Sequence, residues 1–225
     1  METEVLYRPS YSLGVLKLGS GEEVRVEGGS MVSMSQGVTL ETKATGGIMK
    51  SLARSMLGGE SFFQNNYKAP PNGGEVTVAP PLAGDLAIID LKNESLMLQS
   101  GAYVASEMGV AIDTKWAGAK GFFSTSSLTM LRASGAGKLI VSAYGAIHEK
   151  NLAAGELYTV DTGHVVAFTE GIGFKVRKVG GLKATLFSGE GLVVDLTGPG
   201  RLLMQTRSVD GFVGWINGHV HHPEA

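Results

Sequence analysis

Cysteine is absent from the 225 residues. Its absence excludes a disulfide framework, a thiolate metal site and a cysteine nucleophile, and it fits a cytoplasmic address. Neither sign of charge dominates: 19 basic residues face 21 acidic ones. A basic footprint for nucleic acid is therefore missing, and no nucleic-acid partner is expected. Long apolar runs are missing too. Stretches such as Leu86-Ala87-Ile88-Ile89 are strand-sized and too short to span a bilayer. The opening Met1-Glu2-Thr3-Glu4-Val5 lacks the basic start and apolar core of a signal peptide. Prolines number only 7, whereas glycines number 33, roughly twice the usual share. Together with 43% hydrophobic and 18% charged residues, this describes a turn-rich globular β protein with a sizeable core.

The glycines are ordered. Gly163, Val166, Gly171, Phe174, Arg177 and Gly180 match Gly101, Val104, Gly109, Ile112, Lys115 and Gly118. They match again Gly29, Val32, Gly37, Leu40, Lys43 and Gly46. Between the glycines, which suit turns because they tolerate positive φ, apolar and polar residues alternate with a period of two. Val38, Leu40 and Thr42 share one face; Val110, Ile112 and Thr114, and Ile172, Phe174 and Val176, share the corresponding ones. The copies lie 72 and 62 residues apart, too far for a solenoid rung. The pattern predicts an all-β fold: an antiparallel sandwich or double-stranded β-helix built of three internal repeats sharing one interior. The repeats run over about 20–85, 86–147 and 148–208 in a single domain, followed by a mobile tail, 209–225.

In chain order, Tyr11 to Val26 reads as a hairpin turning at Gly19-Ser20-Gly21. Apolar residues at 48, 49, 52, 53, 56 and 57, followed by Gly58-Gly59, predict one short helix after the first repeat. Phe62 to Lys68 and Glu75 to Val78 read as strands around a turn at Pro70-Pro71-Asn72-Gly73-Gly74. The two prolines of Ala79 to Asp85 make that segment a loop. Leu86 to Leu91 and Ser95 to Gln99 read as two strands. Leu128 to Ala133 and Lys138 to Ala143 flank a turn at Ser134-Gly135-Ala136-Gly137. Leu192 to Leu196 and Arg201 to Thr206 flank a turn at Thr197-Gly198-Pro199-Gly200.

Gly46 to Phe63, Gly74-Glu75-Val76 with Ala79-Pro80-Pro81 and Gly84-Asp85, and Gln99 to Ala105 carry a family resemblance. Over residues 10 to 208 the chain resembles prokaryotic proteins of unknown function related to the mitochondrial "altered inheritance of mitochondria" biogenesis protein. The resemblance implies a fold similar to that of the tryptophan RNA-binding attenuation protein. It also implies an association with inner-membrane organisation without an established catalytic activity, and it supplies no catalytic residues.

Candidate sites are few. Lys43, Lys115 and Arg177 could ring an axis and bind anions, although bases on a strand face are more commonly solvated, and Glu41 and Asp113 lie two residues away. Ile48, Met49, Leu52, Met56 and Leu57 offer an interaction stripe to the protein's own sheet, a second copy, a protein partner or a membrane surface. His219, His221 and His222, with Glu224, recapitulate part of a cupin metal set if they lie on a strand, but the chain ends before a scaffold for a fourth ligand. His148 and His164 stand alone. Phosphate-loop, dinucleotide and nucleophile-elbow patterns fail. The expectation is a non-enzymatic, cofactor-free scaffold or interaction module in the cytoplasm or peripheral at a membrane, self-assembled as a cyclic homo-oligomer, a trimer, to manage its exposed strand edges. Its rivals are a small-molecule binding module with a ligand between repeats or subunits, and a cupin-like metal enzyme.

Overall fold

The computed structural model describes residues 1–41, 64–113, 130–179 and 192–220. The short helix expected over 48–57 lies outside the described residues.

Among the described residues, six strands make up the first unit: β2 (Leu13–Leu18), β3 (Glu23–Glu27), β4 (Met31–Met34), β5 (Thr39–Glu41), β6 (Gln64–Lys68) and β7 (Gly74–Val78), preceded by β1 (Glu2–Leu6). The second unit uses four: β8 (Leu86–Gln99), β9 (Tyr103–Glu107), β10 (Val110–Asp113) and β11 (Met130–Ser142). The third again uses six: β12 (Ile147–Leu152), β13 (Leu157–Asp161), β14 (Val165–Thr169), β15 (Gly173–Lys178), β16 (Leu192–Thr197) and β17 (Gly200–Gln205). A helix, α1 (Val209–His219), follows. All strand pairings between these elements are antiparallel.

The repeat is visible in the register. β4 pairs with β7 so that Met31 faces Val78 and Ser33 faces Thr77, with Val32 bulged between them. β9 pairs with β11 so that Tyr103 faces Val141 and Ala105 faces Ile140, skipping Val104. β14 pairs with β17 so that Val165 faces Met204 and Ala167 faces Leu203, skipping Val166. Val32, Val104 and Val166 are the matching valines of the sequence repeat, so one bulge recurs at one position three times.

The expected hairpin over Tyr11–Val26 is corrected. Its strands exist, but β2 pairs with β1 and β7, while β3 pairs with β6 and β9. Gly19 to Glu22 is thus a corner carrying the chain from a four-stranded sheet (β1-β2-β7-β4) into a ten-stranded one. The Pro70 to Gly74 turn is a second corner lying against the first: Gly21 N–H donates to Pro70 O (3.3 Å) and Ala69 N–H to Glu22 O (2.9 Å). Unit 3 repeats this arrangement, with Gly155 N–H donating to Gly198 O and Gly198 N–H to Glu156 O. Even the glutamate is reused. Glu22 accepts from Gly19 N–H and Glu156 from Ala153 N–H, both at 2.8 Å.

In unit 2 the corners are gone. Leu86–Leu91 and Ser95–Gln99 fuse into β8, and the expected turn at Ser134–Gly137 lies inside the continuous β11, opposite a bulge at Asn93 of β8. Gly135 and Gly137 have φ of 114° and 135°, opposite Asn93 at 61°, so the glycines serve a local kink rather than a chain reversal. The straight β8–β11 pair fuses the flanking sheets into the order β12-β17-β14-β8-β11-β9-β3-β6-β5, with β10 also on β11. A third sheet, β13-β16-β15, completes unit 3. Three hydrophobic clusters follow. One holds Val24, Val26, Val76 and Val78, one Leu91, Leu96, Leu131 and Leu139, and one Phe168, Val194, Leu196 and Leu202.

The units meet at a tight crossing where Gly84 and Gly145 form a parallel bridge. A methyl group on Gly84 would lie 1.7 Å from the Ala143 carbonyl oxygen. Beside it, buried Asp85 binds Arg8 through both carboxylate oxygens (2.8 Å each), Ser12 Oγ (3.0 Å) and the Leu86 N–H (2.8 Å). Burial disfavours its ionised form, but those donors outweigh it and hold Asp85 below the ordinary carboxylate range. Arg8 is half exposed, so screening limits the ion pair itself to about 1 kcal/mol.

Two tests follow from this crossing. Gly84→Ala is expected to lose more than about 3 kcal/mol in urea unfolding, or to fail to fold, because the clash is with backbone. Gly101→Ala, with nothing within 4 Å of its added methyl, should stay within about 0.5 kcal/mol. A lowered folded-state pKa means that Asp85 contributes stability above its ordinary value of about 4, and that this is lost as pH falls below it. The gap in Tm between wild type and Asp85→Asn should therefore narrow from pH 6 to about pH 3. A gap independent of pH would contradict the clasp.

Candidate functional site

Three of the glycines that mark the repeat, Gly29, Gly37 and Gly171, do adopt positive φ, whereas Gly101, Gly109 and Gly163 do not. Val38, Val110 and Ile172 are buried as the alternation predicts; Leu40, on the same face, is exposed. Of the proposed anion ring, Lys43 and Lys115 lie outside the described residues. Arg177 is committed to Asp195 on the neighbouring strand, with Nε 2.6 Å from Oδ2 and Nη2 3.0 Å from Oδ1. Thr159 Oγ1 also donates to Asp195, at 2.6 Å, and the carboxyl is held below its usual range chiefly by the Arg177 hydrogen bonds. Arg132 is spent likewise on Glu170 (2.9 Å twice) and Ser95. Such pairs tie neighbouring segments together.

The interaction stripe Ile48, Met49, Leu52, Met56 and Leu57 lies outside the described residues. An apolar helix stands elsewhere, where the sequence reading expects a mobile tail. Over Val209–His219 that expectation is corrected: Ser208, in extended conformation, caps α1 by accepting from the Gly211 N–H (3.1 Å), and Asp210 sits in its first turn. Three glycines, at 211, 214 and 218, obscure the helix in the sequence. The signal that would reveal it is Ser208 followed by Val209, Phe212, Val213 and Ile216 at helical spacing.

The end of β17 is what positions this helix. Thr206 and Ala146 exchange hydrogen bonds, Thr206 N–H to Ala146 O (3.1 Å) and Ala146 N–H to Thr206 Oγ1 (2.9 Å). Arg207 N–H donates to Tyr144 O, and Tyr144 N–H donates to Gln205 Oε1 (2.9 Å). Gln205 Nε2 donates in turn to Gly163 O, while His164 Nδ1 lies 2.7 Å from Gln205 O. Phe212 then packs edge-on against the Tyr144 ring, with centroids 5.8 Å apart. The rest of the helix projects. None of its residues is buried, and Val209, Phe212, Val213 and Trp215 are exposed, with Val220 just beyond. Tyr7 and Tyr11, on the loop held by the Arg8–Asp85 clasp, are exposed as well.

His219 ends the helix rather than lying on a strand. Its Nδ1 is 2.7 Å from the Trp215 carbonyl oxygen and its ring lies against the indole. His221 and His222 lie outside the described residues. Among the described residues no group of three metal-ligating side chains converges, and no helix is long and apolar enough to cross a membrane.

Comparison with known proteins places this architecture. An uncharacterised protein of Streptococcus pyogenes serotype M6 is 27% identical over 214 residues, covering 92% of this chain and 86% of that one. A crystal structure of a Streptococcus pyogenes protein superimposes with a TM-score of 0.79 at 25% identity, covering 97% of this chain and 99% of the other. The profile of the family described as Mitochondrial biogenesis AIM24 matches residues 3–207, nearly the whole chain, and the chain belongs to that family.

Proposed function

We propose that the protein is a non-enzymatic scaffold whose rigid β body presents α1 to a partner protein. The observation that carries this reading is the helix itself. Val209, Phe212, Val213 and Trp215 are exposed on an element anchored to the body through Tyr144. Exposed apolar residues concentrated on one mounted element mark an interaction site. The partner fitted to this surface is an apolar protein segment rather than an anionic lipid. The helix carries Asp210 and neither lysine nor arginine, so it lacks the basic face that draws interfacial helices onto charged membranes. A cytoplasmic or membrane-peripheral address, reached through that partner, belongs to the same proposal.

The reading is supported by what the charged groups do elsewhere. Asp85, Glu170 and Asp195 each hold an arginine and a hydroxyl from other segments of the chain, a structural use.

A photo-cross-linking residue in place of Trp215 tests it in the native cell. One protein adduct is expected, lost when Val213→Glu is added, while thermal stability stays within about 0.5 kcal/mol, as for other exposed positions. Adducts to lipid alone, or a protein adduct unaffected by Val213→Glu, would contradict it.

A further inference from the structure

The three units are joined by one kind of strand pairing, used twice. β3 of unit 1 pairs with β9 of unit 2, with Arg25 opposite Ser106 and Val26 opposite Ala105. β8 of unit 2 pairs with β14 of unit 3, with Met97 opposite Phe168 and Leu98 opposite Ala167. At the repeat spacing of 72 and 62 residues these are the same pairs: Met97 stands where Arg25 stands, and Phe168 where Ser106 stands. Carried one step further, the rule pairs β13 of unit 3 with β4 of unit 1, with Thr159 opposite Met34.

Within the chain that pairing is not made. Among the described residues β13 is bonded only to β16, and β4 only to β7, so each is an edge of its sheet there. Exposure marks what is missing. Val32 is 57% exposed, whereas Val104 and Val166 at the same bulge are both 0%. Met34 (44%) and Leu157 (72%) are bare as well.

The chemistry of the edges points the same way. A free strand edge invites addition of another strand, and natural edges are protected by charge. Here β1 carries Glu2 and Glu4, β12 carries Glu149 and Lys150, and β15 carries Lys175, Arg177 and Lys178. β4 reads Met-Val-Ser-Met, and β13 reads Leu-Tyr-Thr-Val before its closing Asp161. The two edges that the repeat leaves unpaired carry no base, and β13 has only its closing Asp161; the shorter edges β5 and β10 likewise end on a single acid, Glu41 and Asp113.

We infer that β13 of one copy of this chain adds antiparallel to β4 of a second copy, continuing the internal unit junction between molecules. The contact is heterologous, head to tail, and closes into a ring or extends as a fibre according to the rotation per copy. It involves a different surface from α1, so it stands or falls separately from the partner-docking reading.

The cysteine-free chain permits a direct trap. Directly opposed residues in an antiparallel pair lie within disulfide reach. Met34→Cys and Thr159→Cys are prepared as separate proteins and oxidised alone and mixed. A disulfide-linked heterodimer in the mixture, with neither protein dimerising alone, is the expected result. No cross-link in the mixture, or Met34→Cys linking to itself, overturns the proposal. Light scattering supplies the second measurement. Wild type should associate as concentration rises, and Met34→Lys should remain monomeric with an unchanged circular dichroism spectrum. A wild type that stays monomeric, or a Met34→Lys protein that still associates, overturns the proposal too.

Discussion

The pairing of β8 with β11 is the constraint on which the rest of the structure depends. Thirteen registered partners run from Met130 opposite Gln99 to Ser142 opposite Leu86. Each strand of this ribbon contributes to all three hydrophobic clusters. β8 supplies Leu86 to the first, Leu96 and Leu98 to the second and Met97 to the third. β11 supplies Ile140, Leu139 and Met130 in the same order. Because neighbouring side chains on a strand point to opposite faces, a straight strand through the middle unit can feed cores on both sides. The corners of units 1 and 3 cannot do this, since they divide each strand between two sheets. Straightening the middle copy is what makes three small units one body.

With the body rigid, polar groups are used for joinery. Arg132, Glu170 and Ser95 link unit 2 to the turn after β14; Arg25 donates to the Met108 and Val110 carbonyls across the first junction. Tyr103, wholly buried, reaches Ser106 at 3.0 Å, and burial pushes its phenol up to about 12, so it stays neutral. These groups set register and fill interior hydrogen-bonding demand. Among the described residues, exposed apolar side chains gather on α1 and along β4 and β13.

Much of the repeat was legible in the sequence because its signals are local. Val32, Val104 and Val166 align by number and form the same bulge, and the glycine-bounded strands fall where the period of two puts them. Connectivity was less legible. Gly19-Ser20-Gly21 and Gly135-Ala136-Gly137 look alike as turn sequences. One is a corner between sheets and the other stays inside β11, because β8 continues past the second with Asn93 bulged out of register. That difference resides in the pairing, which no single stretch encodes. Of the candidate site, Phe212, Trp215 and Ile216 were visible as apolar residues, but the glycines between them hid the helix. Arg177 lies exposed on β15, and its partner Asp195 could not be read from spacing, being on the next strand.

If the ribbon couples three cores, the molecule unfolds as one unit. Differential scanning calorimetry of the intact chain tests this most directly. The account predicts a single transition whose calorimetric and van't Hoff enthalpies agree. Two or more resolved transitions, or a calorimetric enthalpy well above the van't Hoff value, would show that the units melt separately and would contradict it.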